Sequence, residues 1–195
     1  MRTLIDSGSG NESSEGATVM DPIEDVRQRA RVLHRQAARG EPEALTRLRA
    51  LPELKALDDE ALAREVRRRH ALATLARELG FRGWPGARAA LLGGGPSEAH
   101  DLGTVMHRDQ GGAYFNIWSA HHEEARRIRA EHGGYLLAYR HQFLVVEGAY
   151  LEGLGLDPQD PDWDRMGRDW ARPADHAAWR RITSAAIAAK LGPAR

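Results

Sequence analysis

Apolar residues recur at steps of three and four over Ile23, Val26, Ala30, Leu33 and Ala37, which makes one stripe along an amphipathic helix. Its start is signalled by Asp21 as a cap, by Pro22 in the first turn, and by Glu24 and Asp25 beside the positive end of the helix dipole. Gly40 ends it. Pro42 opens a short second helix carrying Leu45 and Leu48. Pro52 interrupts, and Leu54 and Leu57 lead to a turn at Asp58-Asp59. From there the pattern predicts one longer helix through Leu79, capped by Asp58 or Asp59, with Leu62, Val66, Ala73 and Ala76 inward. Gly80 stops it. Phe81 and Trp84 flank a turn, and Pro85 starts a short helix to Leu92.

Gly93-Gly94-Gly95-Pro96 is the clearest boundary signal in the chain. Beyond it, Ala113 to Trp118 is aromatic and β-prone, which predicts a strand. Ser119 is placed to cap a helix from His122 to His132, laced by Glu123 with Arg127, and Gly133-Gly134 ends it. Tyr135 to Tyr139 predicts a second strand. Phe143 to Val146 suits either form; the spacing of Val146, Tyr150 and Leu154 argues that it opens a helix. Asp160 and Pro161 begin a further helix carrying Trp163, Met166 and Trp170, broken at Arg172-Pro173. Asp175 caps the last one, which presents Trp179 and Ile182. The expected fold is α+β and predominantly helical. It has a helical domain over 21–92, then a small α+β domain over 97–195 with two or three short strands and helices at its end.

Composition narrows the classes. Residues 7–16 read SGSGNESSEG and have almost nothing to bury, so 1–20 is expected to be a disordered leader. Met20 stands just before the first helix, which leaves open whether residues 1–19 belong to the native product. The absence of cysteine excludes disulfides and thiolate chemistry. No apolar run approaches the roughly 18–20 residues of a spanning helix, and residues 1–16 do not read as a secretory signal. The expectation is a cytoplasmic protein with no membrane partner. Net charge is zero, which removes bulk attraction to nucleic acid. Residues 24–92 nevertheless hold 15 basic against 10 acidic side chains.

The stretches GEPEALTRLRALPELKAL (40–57) and ALATLARELGFRGWPGARAAL (71–91) resemble the helical segment found ahead of ankyrin repeats in many bacterial proteins. The signature is Ala76, Arg77, Glu78, Leu79, Gly80, Phe81 and then Trp84, Pro85; no ankyrin repeat follows. The second half, from FNIWSAHHEEARRIRAEHGGYLLAYRHQFLVVEGAYLEGLGLDPQDPDW, resembles a C-terminal region of bacterial proteins with no assigned activity. The resemblance implies a bacterial cytosolic module and transfers no catalytic residue. Physically, Gly80 suits a helix-ending left-handed turn, and Phe81 and Trp84 suit packing back onto the flanking helices.

Candidate chemistry is sparse. His121 and His122 are adjacent on a helix start and point about 100° apart, so they chelate poorly, and no histidine follows four residues later. They read as an exposed helix start with acids near its positive end. Asp160, Asp162 and Asp164 alternate as in a calcium loop, but Arg165 and Ala171 stand where that loop needs glycine and glutamate, so they read as caps. His70 reads as a hydrogen-bonded, half-buried histidine. No motif implies a metal or a cofactor. Arg64, Arg67, Arg68, Arg77 and Arg88 are the candidates for contacting nucleic-acid phosphates, with a solvated helix face as the plain alternative. His107, Arg140 and Glu147, with Tyr139, His141 and Asn116, form the polar group where a pocket is expected. A buried Glu147 would suit acid–base work, and a salt bridge to Arg140 is the plainer reading. The leading expectation is a non-catalytic protein-interaction module with a protein partner. The alternatives are a weak nucleic-acid binder through the basic helical half, or a small enzyme using His107, Arg140 and Glu147.

Overall fold

The capping chemistry sets the helices. In the computed structural model, which describes residues 21–93, 101–107 and 116–192, Asp21 accepts the Ile23 amide at 2.8 Å and starts α1 (Pro22–Ala38). α2 (Pro42–Leu48) follows with its proline in the first turn. Asp58 accepts the Ala61 amide at 2.7 Å and starts α3 (Asp59–Glu65). The single long helix expected from here to Leu79 is two helices. Val66 and Arg67 are extended, and α4 (Arg68–Glu78) begins afresh. No proline or glycine marks the break. It is held by His70, whose Nδ1 lies 3.1 Å from the Arg67 amide and can accept it. α5 (Trp84–Leu91) closes the first half.

β1 (Asn116–Ser119) is followed by α6 (His122–His132), β2 (Tyr135–Tyr139) and β3 (Gln142–Val146). The run Phe143–Val146 is therefore a strand and not the opening of a helix. It is the central strand of an antiparallel sheet ordered β1-β3-β2, and a strand buried on both faces shows no alternation to read. Trp118 faces Leu144 across one pair, and Leu137 faces Leu144 across the other. The outer edge of β2 is covered. Leu136 donates to the Arg168 carbonyl at 2.8 Å and accepts from Trp170 at 2.9 Å.

The chain ends with α7 (Gly148–Leu154), α8 (Pro161–Arg165) and α9 (His176–Leu191). α8 stops at Arg165, so Trp170 is not on it; it sits in the segment that covers β2. His121, not Ser119, occupies the cap of α6, and Glu123 pairs with Arg126 and Arg172 rather than Arg127. The buried indoles keep their N–H groups satisfied: Trp163 donates to the Asp157 carbonyl, Trp170 to Thr183 Oγ1, and Trp179 to the Trp170 carbonyl, all within 3.1 Å.

The predominantly helical α+β fold is thus present, and its apolar cluster runs without a gap from Ile23 on α1 to Ile187 on α9. α9 packs along α1 as well as α8. Residues 101–107 tie the halves. Thr104 donates to the Leu79 carbonyl at 2.8 Å, while Leu102 and Gly103 exchange backbone hydrogen bonds with Arg140 at 2.9 and 2.7 Å. Lys190 of α9 donates to Thr104 Oγ1 at 2.9 Å, to the His107 carbonyl at 2.7 Å and to the Thr104 carbonyl. Residues 94–96 of the boundary signal, 113–115 of the expected first strand and the leader at 1–20 lie outside the described residues.

Candidate functional site

Alternation along the strands puts Trp118 of β1 and Tyr139 of β2 on the same face of the sheet, since their partners Leu144 and Gln142 lie two residues apart on β3. Their rings meet edge to face with centroids 5.7 Å apart. The 101–107 segment delivers His107 to this pair, 4.6 Å from the Tyr139 ring and 6.1 Å from Trp118. From below, α7 supplies Tyr150, whose hydroxyl lies 2.8 Å from His107 Nδ1. Arg140 follows Tyr139 at the hairpin turn, with its guanidinium carbon 5.9 Å from the Tyr139 ring centroid. Its φ of 52° is unusual for a side-chain-bearing residue, and the paired bonds to Leu102 and Gly103 hold it there.

Trp118 is 42% exposed, the one aromatic side chain left so open among the described residues. It lies on β1, whose outer edge is paired with no strand among the described residues. The site is therefore an aromatic face on a strand whose outer edge pairs with no strand among the described residues, flanked by a cation.

Of the polar group expected around Arg140, the fold brings together His107, Tyr139 and Arg140. It does not bring Glu147. That residue is exposed at the start of α7, at the far end of β3 from the Arg140 turn, about 17 Å of strand away. Glu147 is neither buried nor paired with Arg140; the nearest acid to Arg140 is Asp101, at 3.9 Å. His141 lies apart too, lining a shallow cleft with Phe81, Gly83 and Asp101. Asn116 keeps a buried Oδ1 with no hydrogen-bond partner among the described residues, at the opposite end of β1 from Ser119.

His122 departs from its sequence reading. It is buried, not part of an exposed helix start. Its Nε2 lies 2.8 Å from Asp169, and its ring packs edge-on against Phe143. Asp169 is buried as well and accepts the Arg172 amide at 2.8 Å. This pair pins α6 to the segment that covers β2. Glu123, drawn below the usual carboxylate range by Arg126 above all, sits over it on the surface. Asp162 is also buried. It is gripped by the Arg181 guanidinium and by Arg165, and Arg181 in particular holds its carboxyl below the usual range. Among the described residues no group of three His, Cys, Asp or Glu side chains could hold a metal ion.

The arginines named for nucleic acid are dispersed. Arg64 pairs with Glu60 at 3.5 Å, and Arg67 folds onto the Arg64 and Val66 carbonyls. Arg77, at the other end of α4, reaches the Ala50 carbonyl, and Arg88 lies on α5. Arg68 instead lines a cleft together with Arg31 and Arg35 of α1. No family model, curated protein or solved structure matches this chain. No helix among the described residues is long and apolar enough to cross a membrane.

Two site residues escaped the sequence reading. Tyr150 was read for helical periodicity, and nothing local linked it to His107. Trp118 stood in the AYFNIW strand, where alternation alone does not say which face meets water.

Proposed function

We propose that the protein is a non-catalytic interaction module that takes an extended peptide of a protein partner against β1, with Trp118 as the anchor. The observation that carries this reading is the exposed indole on a strand whose outer edge pairs with no strand among the described residues. Strand edges offer unpaired backbone groups that an added peptide strand can use, and flanking side chains select it. Tryptophan, tyrosine and arginine are the residues that dominate binding energy at interfaces. Trp118, Tyr139 and Arg140 stand together, with the rings of His107 and Tyr139 edge-on to Trp118. The resemblance of residues 25–92 to a segment associated with ankyrin-repeat proteins fits the same class, as does a bacterial, cytoplasmic setting. Glu147 stands about 17 Å of strand from the Arg140 turn, which favours the interaction reading over an enzyme that uses both side chains together.

The test is affinity capture from a bacterial lysate treated with nuclease, read by mass spectrometry. It compares the wild type, Trp118→Ala, and a chain with Arg64, Arg67 and Arg68 all changed to alanine. Capture of the same protein by the wild type and the triple variant, with loss on Trp118→Ala at unchanged thermal midpoint, is the expected result. Equal capture by Trp118→Ala, or recovery of nucleic acid alone before nuclease, would overturn it.

A further inference from the structure

On α1, Gln28, Arg31 and Arg35 recur at steps of three and four, so they share a face with His34 beside them. That face meets the start of α4, where Arg68 closes a cleft of about 270 Å³ lined by these five side chains. The volume is close to the lower end of the roughly 300–1,000 Å³ usual for small-molecule sites. No acidic side chain lines it.

Its charges are unevenly answered. Arg31 is paired with Glu24 at 2.8 Å and donates to Gln28 at 2.9 Å. Arg35 and Arg68 form no ion pair with a carboxylate among the described residues. Arg68 also sits in the first turn of α4 between Arg67 and Arg69, where the helix dipole disfavours positive charge. Arg35 and Arg68 are exposed, and they line one cleft from two helices; with an imidazole and an amide beside them, they offer the forked donors that match phosphate oxygens.

We infer that the cleft between α1 and the start of α4 binds a phosphate group, held by Arg35 and Arg68 with Arg31, His34 and Gln28 at its rim. The site shares no residue with the Trp118 face and stands independently of the interaction reading. The phosphate belongs either to a small phosphorylated molecule or to a nucleic-acid backbone, and the cleft recognises the chemistry common to both.

Titration calorimetry of the full chain at two matched ionic strengths tests this with pyrophosphate and with a short single-stranded oligonucleotide. The comparison is with Arg35→Ala/Arg68→Ala, and with Arg35→Gln/Arg68→Gln in case the first variant folds poorly. Saturable pyrophosphate binding that weakens at least tenfold in the variants supports a small phosphorylated ligand. Oligonucleotide binding that falls with salt and weakens equally in the variants, without pyrophosphate binding, supports the backbone source. Absence of binding to either probe, or undiminished binding by well-folded variants, overturns the inference.

Discussion

Gly80 adopts φ +86°, and a Cβ built on it would stand 2.2 Å from Thr104 Oγ1 and 2.7 Å from Thr104 Cβ. Its first requirement, a left-handed residue to end α4, could be read from the sequence as a glycine after an apolar stripe. Its second could not, because Thr104 arrives from the other side of the boundary signal. The Gly-Phe pair of the signature is therefore a seat: Gly103 crosses Phe81 so closely that its own Cβ would lie 2.6 Å from the ring. Gly80→Ala is expected to cost about 2–4 kcal/mol, combining the left-handed penalty with overpacking. Urea unfolding measures it; a change under about 0.5 kcal/mol, ordinary for a surface site, would show that the seat yields freely.

The elements were legible where chemistry is local. Asp21, Asp58, Asp160 and Asp175 all cap helix starts where their spacing announced them. β2 and α6 carry the expected bounds, set by Gly133-Gly134 between them. Failures came where a distant partner decides. Phe143–Val146 is flanked by strands on both sides, and His122 is buried by Asp169, 47 residues away. The α3–α4 break hides behind helix-favouring residues because its determinant is one imidazole. A neutral His70 ring has one bare nitrogen with which to accept the Arg67 amide or Arg69 Nε; a charged ring accepts neither. Burial, then Arg69, Arg67 and His34, press its pKa below the ordinary histidine value, against an opposing pull from Glu53. The unfolded chain therefore takes up this proton first as pH falls. The contribution to stability is full above the unfolded value of about 6.5 and is lost as pH drops from there toward the folded one. His70→Gln, which keeps an acceptor and cannot titrate, is expected to flatten this acid limb. Urea midpoints of both proteins from pH 8 to pH 5 check it, and parallel curves would exclude His70 as the source.

At the scale of the molecule, the halves are joined by α1 against α9 and by residues 101–107, which rest on the Gly80 turn, bond to the Arg140 turn and end in the aromatic face. Lys190 fastens that segment with three donated hydrogen bonds, all to oxygens of Thr104 and His107. Lys190→Met keeps the aliphatic stem and removes the ammonium. Charge-assisted bonds are worth about 1.5–3 kcal/mol each, so amide exchange at Leu102, Thr104 and His107 is expected to quicken about tenfold or more while that of α1 holds steady. Unchanged exchange would mean that the backbone contacts alone hold the segment. The chain has 28 basic residues, yet lysine occurs only at Lys55 and Lys190. With the Lys190 nitrogen fully engaged, side-chain acylation has one ready target in the exposed Lys55, beside the chain's α-amine. Acylation of Lys55 leaves Trp118 and the arginine cleft free of covalent modification.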